Sequence, residues 1–159
     1  CAHGEEVDAE VLERLLAFFE HEVDGHHQEK EERVFLPRLL LRAPEEDARA
    51  LRGLLDEHRA QRALLEGMRV EIEGVAYGDF GALDALLHGA KRYLVVQREH
   101  SRWEAAKLFP LARRCLGRRD DHAIWRAFRR LEANHGHTLW DAAEALVAWL
   151  ERRRAPTAA

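Results

Sequence analysis

An all-α fold, a bundle of long helices, is what the sequence predicts, on three observations. Of its 159 residues 34% are charged while only four are Pro and ten are Gly, a composition suited to long helices with few turns. Apolar residues recur at steps of three and four rather than alternating. Two segments far apart in the chain also interrupt an apolar helix face in the same way, with a histidine followed four residues later by a glutamate. The length fits one domain with a substantial core.

The elements follow in order. From Asp8 to about Pro37, Leu12, Leu15, Leu16, Phe19 and Val23 mark one helix face, and Pro37 is expected to end or kink it. Pro44 followed by Glu45, Glu46 and Asp47 opens a second helix, since acids favour the positive end of the helix dipole. This helix is expected to reach about Glu73, before a loop of sequence GVAYGDFG. A third helix carries Leu83, Leu86, Leu87, Ala90 and Leu94, meets Pro110 and fades near Gly117. Asp120 and Asp121 suit the start of a fourth segment, which breaks at Gly136 in NHGH and resumes with Leu139, Ala143, Leu146 and Leu150 on one side. The resulting division is a linker remnant over 1–7, a metal-binding bundle over 8–117, a C-terminal helical segment packed on it over 118–154, and a disordered tail over 155–159.

Extending each apolar face until it meets a polar residue locates the chemistry. Leu15, Phe19 and Val23 step by four onto His27 and Glu31; Leu86, Ala90, Tyr93 and Gln97 lead to His100 and Glu104; Leu51 and Leu55 lead to His58. Burying a polar group without a partner costs roughly 2–7 kcal/mol, and a charge costs more. Several such groups meeting in one core therefore call for a shared partner, which a divalent metal supplies. His-x-x-x-Glu places an imidazole and a carboxylate one turn apart on one side of a helix, able to grip one ion or bridge two. The segments HQEKEERVFLP, from His27, and HSRWEAAKLFP, from His100, agree further: Pro follows Glu by six in both, behind an aromatic and a Leu. Such a repeat implies two helices facing each other across an approximate two-fold axis. The alternative for each pair is a surface contact worth about 0.2–0.5 kcal/mol.

These residues resemble a known family. HHQEKEERVFLP is similar to the HHxKEExxLFP segment of bacterial hemerythrin-like (HHE cation-binding) domains, YLVVQREHSRWEAAKLFP to their YxxLLxxHxxxExxLFP segment, and DEHRAQR to their EHxxxR helix. The match covers most of Asp8 to Pro110. The resemblance implies an up-down four-helix bundle binding two irons, with manganese as the other candidate metal. It makes His27, His58 and His100 terminal ligands and Glu31 and Glu104 bridging carboxylates. It further implies a protein that binds or senses dioxygen, peroxide, nitric oxide or iron status. A di-iron oxidase or peroxide-consuming enzyme is the first alternative, and a metal-free interaction module the second.

The chain departs from the family at several places. Arg62 stands where oxygen-carrying hemerythrins have a second histidine on that helix, and FLP replaces LFP at Phe35–Pro37. The family's first helix, which donates a further histidine, is apparently absent, and CAHGEEVD looks like the linker that follows it. An extra C-terminal helix offers His135, His137 and Asp141 as substitutes, although the apolar stripe there leaves His137 and Asp141 on another face. Tyr93 and Gln97 are read either as partners of a metal ligand or bound oxygen or as core packing, and Arg62 either as the partner of a bridging carboxylate or as solvated. His21 and His26 are read as solvated or as outer supports, and the four tryptophans as packing.

Other function classes find little support. The formal net charge of -4 and the scattered arginine runs do not suggest nucleic acid. No apolar stretch approaches the roughly 20 residues that span a bilayer, and no signal-peptide core opens the chain. Cys1 and Cys115 allow one disulfide at most, and Cys115 has no histidine in register to activate it. A cytoplasmic location follows as an expectation, with a homo-oligomer among the assemblies left open. The chain opens on Cys1 and its only methionine is Met68, which is read as a chain shortened upstream, with lipoprotein maturation at Cys1 as the other reading.

Overall fold

In the computed structural model, residues 8–154 are described, and they are all-helical. The expected linker remnant 1–7, Cys1 and the tail 155–159 lie outside the described residues. The Asp8 carboxylate accepts a hydrogen bond from the Glu10 amide and starts α1 (Ala9–Phe18). The rod continues as π-helix over Phe19–Gln28 and Glu31–Phe35 and then as α2 (Leu36–Leu40). Three further helices build the bundle: α3 (Glu45–Ala76), α4 (Phe80–Trp103), which runs on as π-helix over Glu104–Leu108, and α5 (Phe109–Cys115). After a break at Leu116–Gly117 come α6 (Arg118–His135) and α7 (Leu139–Arg154).

Pro37 does not end the first helix; the rod passes through it to Leu40. A proline ring clashes with the carbonyl four residues back and offers no N–H. Here the preceding turn is widened, with the Leu36 amide donating to the carbonyl of Glu31 five residues back. The same device recurs before Pro110, where the Phe109 amide donates to the Glu104 carbonyl. The internal repeat is thus visible in the backbone: each widened turn begins at a glutamate of the repeat and delivers a proline into the first turn of the next helix.

The second helix also outlasts its expected end at Glu73, continuing through Gly74 to Ala76. The reversal is made instead by Tyr77, the left-handed Gly78 (φ 81°) and Asp79, whose carboxylate accepts from the amides of Gly81 and Ala82. Gly74 is needed as glycine, because a Cβ there would lie 2.7 Å from that of Ala82.

Short connections make the three long rods antiparallel neighbours, and the α6–α7 hairpin lies against the first of them. Their shared interior has three layers. At one end Leu36, Leu39, Leu51, Leu54, Leu108 and Leu111 form an apolar cluster; at the other, Leu16, Leu65, Met68, Ile72, Leu86 and Tyr93 form a second. Between them every rod turns polar, and Gln28, Glu31, His58, Gln61, His100 and Glu104 are all buried. On α3 the change is read straight along one face, from Leu51 and Leu54 to His58 and Gln61 and back to Leu65 and Met68.

Two tryptophans do not pack as expected. Trp125 and Trp140 are 62% and 71% exposed. Trp103 does back the first apolar cluster, and Trp149 lies under the guanidinium groups of Arg14 and Arg153. No described helix is long and apolar enough to cross a membrane.

Candidate metal centre

The polar layer gathers all five ligands that the sequence nominates. Donor atoms of Glu31, His58 and His100 lie within 4.8 Å of one another, and so do those of His27, Glu31 and Glu104. Glu31 belongs to both groups. Its Oε1 is 3.7 Å from His27 Nε2 and its Oε2 is 3.4 Å from His58 Nε2, so the carboxylate faces two positions at once. His100 Nε2 stands 3.0 Å from Glu104 Oε1 without hydrogen-bond alignment. Glu31 Oε2, His58 Nε2, His100 Nε2 and Glu104 Oε1 are buried and have no hydrogen-bond partner among the described residues. Four inward donor atoms in that condition fit a bound cation, since leaving each unsatisfied costs about 1–3 kcal/mol or more.

The far side of each buried imidazole of this cluster is held. His58 Nδ1 is 2.9 Å from Glu32 Oε1, and His100 Nδ1 is 3.0 Å from Glu57 Oε2. A carboxylate behind Nδ1 fixes the proton there and turns an unprotonated Nε2 toward the centre, the usual support for a metal-binding histidine. The spacing of the repeats does not reveal Glu32 or Glu57, because each reaches across to a histidine on another rod. Arg62 settles among these supports: it donates to Glu32 Oε1 at 2.9 Å and to Gln28 Oε1 at 2.8 Å, touching neither Glu31 nor Glu104. Gln28 in turn donates to Gln61 at 2.5 Å. Glu32→Gln or Glu57→Gln should each weaken metal binding by about 10–100-fold while leaving the helical content unchanged, as competition with a chelator will show.

Without a metal the charges compensate one another in part. Burial alone would lower the pKa of His100, but the carboxylates of Glu104, Glu57 and Glu31 outweigh it and raise it to about 9. Burial pushes Glu104 up, and His100, with Glu31 and His27, brings it below the usual carboxylate range. Asp24, one turn before His27 and buried, is raised to about 6 by burial against the pull of Arg62 and His58. Tyr93 is buried with its hydroxyl unpartnered among the described residues, and burial, aided by Asp24, raises its pKa further. Gln97 Oε1 is likewise buried and unpartnered there.

The remaining candidates fall elsewhere. Asp141 is exposed and accepts from the amide and hydroxyl of Thr138, capping α7. His137 Nε2 meets Glu22 Oε1 at 2.9 Å, outside the central cluster. His21 is exposed, whereas His26, read as solvated or as an outer support, is completely buried and faces the α6–α7 turn. Its covering rings come from a turn more than 100 residues further along the chain, which no local pattern announces. No family model, curated protein or solved structure matches this chain.

Proposed function

We propose that this chain is a non-haem di-metal protein of hemerythrin type, an up-down bundle holding an iron pair, that takes up or senses dioxygen or a related small ligand. The observation that carries this reading is Glu31, a buried carboxylate shared by two groups of facing donors contributed by three rods. His27, His58 and His100 would be terminal ligands, and Glu31 and Glu104 the carboxylates between the ions. Mixed imidazole and carboxylate donors suit iron and also manganese. Five protein ligands for two ions leave positions open to a small molecule. A bound iron pair supplies the electron exchange with dioxygen, peroxide or nitric oxide that the side chains lack.

The chain's own residues also shape the surroundings of the centre. An apolar cleft of about 360 Å³ between α1, α3 and α4 includes Phe19, Tyr93 and Leu94 in its lining, which favours a small neutral ligand over a charged one. Tyr93 keeps its proton at any ordinary pH and so offers a donor, while Gln97 offers a buried amide on the turn before His100. A second reading, a di-iron oxidase or peroxide-consuming enzyme, is favoured by one observation. The α3 rod contributes one histidine, and Arg62 at the next turn is spent on Glu32 and Gln28, which leaves that rod one imidazole short of an oxygen carrier's set.

Reduced, iron-loaded protein titrated with dioxygen separates the two. Reversible absorption changes with no consumption of peroxide are expected for uptake or sensing. Multiple turnovers of peroxide, abolished by Glu104→Ala, would give the function to the enzyme reading instead.

A further inference from the structure

A second group of histidine and glutamate side chains lies outside the central cluster, where the α6–α7 turn meets the first rod. His26 is 0% exposed, and neither ring nitrogen has a hydrogen-bond partner among the described residues. One turn earlier, Glu22 also has a buried, unpartnered Oε2, which lies 3.7 Å from His26 Nδ1. The other oxygen of Glu22 is 2.9 Å from His137 Nε2. Gly136, left-handed at φ 79°, turns the chain so that the residues on both its sides face His26. The His135 ring stacks on that of His26 at 4.2 Å, and the His137 ring meets it edge-on at 6.3 Å.

We propose that Glu22, His26 and His137 form a mononuclear site for a divalent transition ion, with zinc the best match. Imidazole and carboxylate donors bind zinc at about 2.0–2.2 Å, which places two ligands of one tetrahedral ion about 3.3 Å apart. The two separations, 3.7 Å from Glu22 Oε2 to His26 Nδ1 and 2.9 Å from Glu22 Oε1 to His137 Nε2, run from opposite oxygens of the carboxylate, so the three donors stand near one another without yet converging on one point. Closing the set requires a rotation of His137, whose side chain is 42% exposed beside the glycine turn. Two histidines and one glutamate form a three-ligand set that leaves the fourth position to water. The neighbouring charges are already engaged: Lys30 with Glu132 at 2.8 Å, and His135 with Glu29 at 3.2 Å. An ion here would clamp the α6–α7 hairpin onto the rod that carries His27.

The site does not depend on the iron reading, and its test separates the two. Iron-loaded protein is titrated with zinc chloride by calorimetry, and its iron and zinc contents are measured after desalting. About one zinc per chain beyond the iron is expected. His137→Ala, at a half-exposed turn where folding is not at stake, should weaken that step at least tenfold, and His26→Gln should do the same. His21→Ala should leave it unchanged, and iron content should hold in all three. No zinc step, a step indifferent to both His137→Ala and His26→Gln, or a step lost only in His100→Ala would overturn the proposal. Absence of iron from every preparation would overturn the di-iron reading and leave the zinc result standing.

Discussion

Glu31→Gln should reduce bound iron from about two per chain to well under one, because this single carboxylate serves both groups of donors. The substitution keeps the size and hydrogen-bonding capacity of the side chain and removes the charge that would balance the ions. A ligand at about 100 times its dissociation constant stabilises the native state by about 2.7 kcal/mol, or about 5–10 °C for a chain of this size. Scanning calorimetry of the wild type should show that rise on adding iron, and Glu31→Gln should not. The metal-free proteins should behave oppositely. A buried carboxylate with an unpartnered oxygen is a cost when no cation is present, so metal-free Glu31→Gln should match or exceed the metal-free wild type. A variant equally destabilised with and without iron would make Glu31 structural rather than a ligand.

Asp24→Asn should stabilise the metal-free protein by about 2–3 kcal/mol at pH 8. Burial raises the Asp24 pKa from 3.8 to about 6, so the fold favours the protonated form. That preference is fully satisfied below about pH 3.8; the penalty grows as the pH rises from there to 6 and levels off at about 3 kcal/mol at most. The asparagine variant, uncharged like the protonated acid, escapes the penalty, which is already net of the attraction of Arg62. Thermal melts from pH 3.5 to 8 should show the two proteins close together at the acid end, the gap opening between about pH 4 and 6 and levelling off above it. A constant gap across that range would contradict the assignment.

What the sequence discloses here is set by the range of the interactions involved. The α3 face is legible because Leu51 and His58 are placed by helical periodicity alone, although Leu54 rather than Leu55 is the leucine fully buried between them. The repeated His-x-x-x-Glu pairs are legible for the same reason, and all five nominated donors meet. The rest depends on contacts between rods. Glu32 and Glu57 each support a histidine on a different rod. His26 reads as a solvated or outer-supporting neighbour of His27, and its burial is visible only once His135 and His137 cover it. Pro37 marks a helix end under α-helical rules, yet the widened turn from Glu31 removes the clash on which those rules rest. Gly74 looks like the start of a loop, whereas it serves the close approach of α3 and α4. Trp125 and Trp140 face outward, the first edge-on to His122 and the second donating its indole N–H to Glu144.

Metal content tests the central claim most directly. Protein produced with iron and desalted, its metals quantified against chain concentration, should carry about two irons per chain with charge-transfer absorption in the near ultraviolet. Colourless, metal-free protein whose melting temperature ignores added iron and manganese would contradict it.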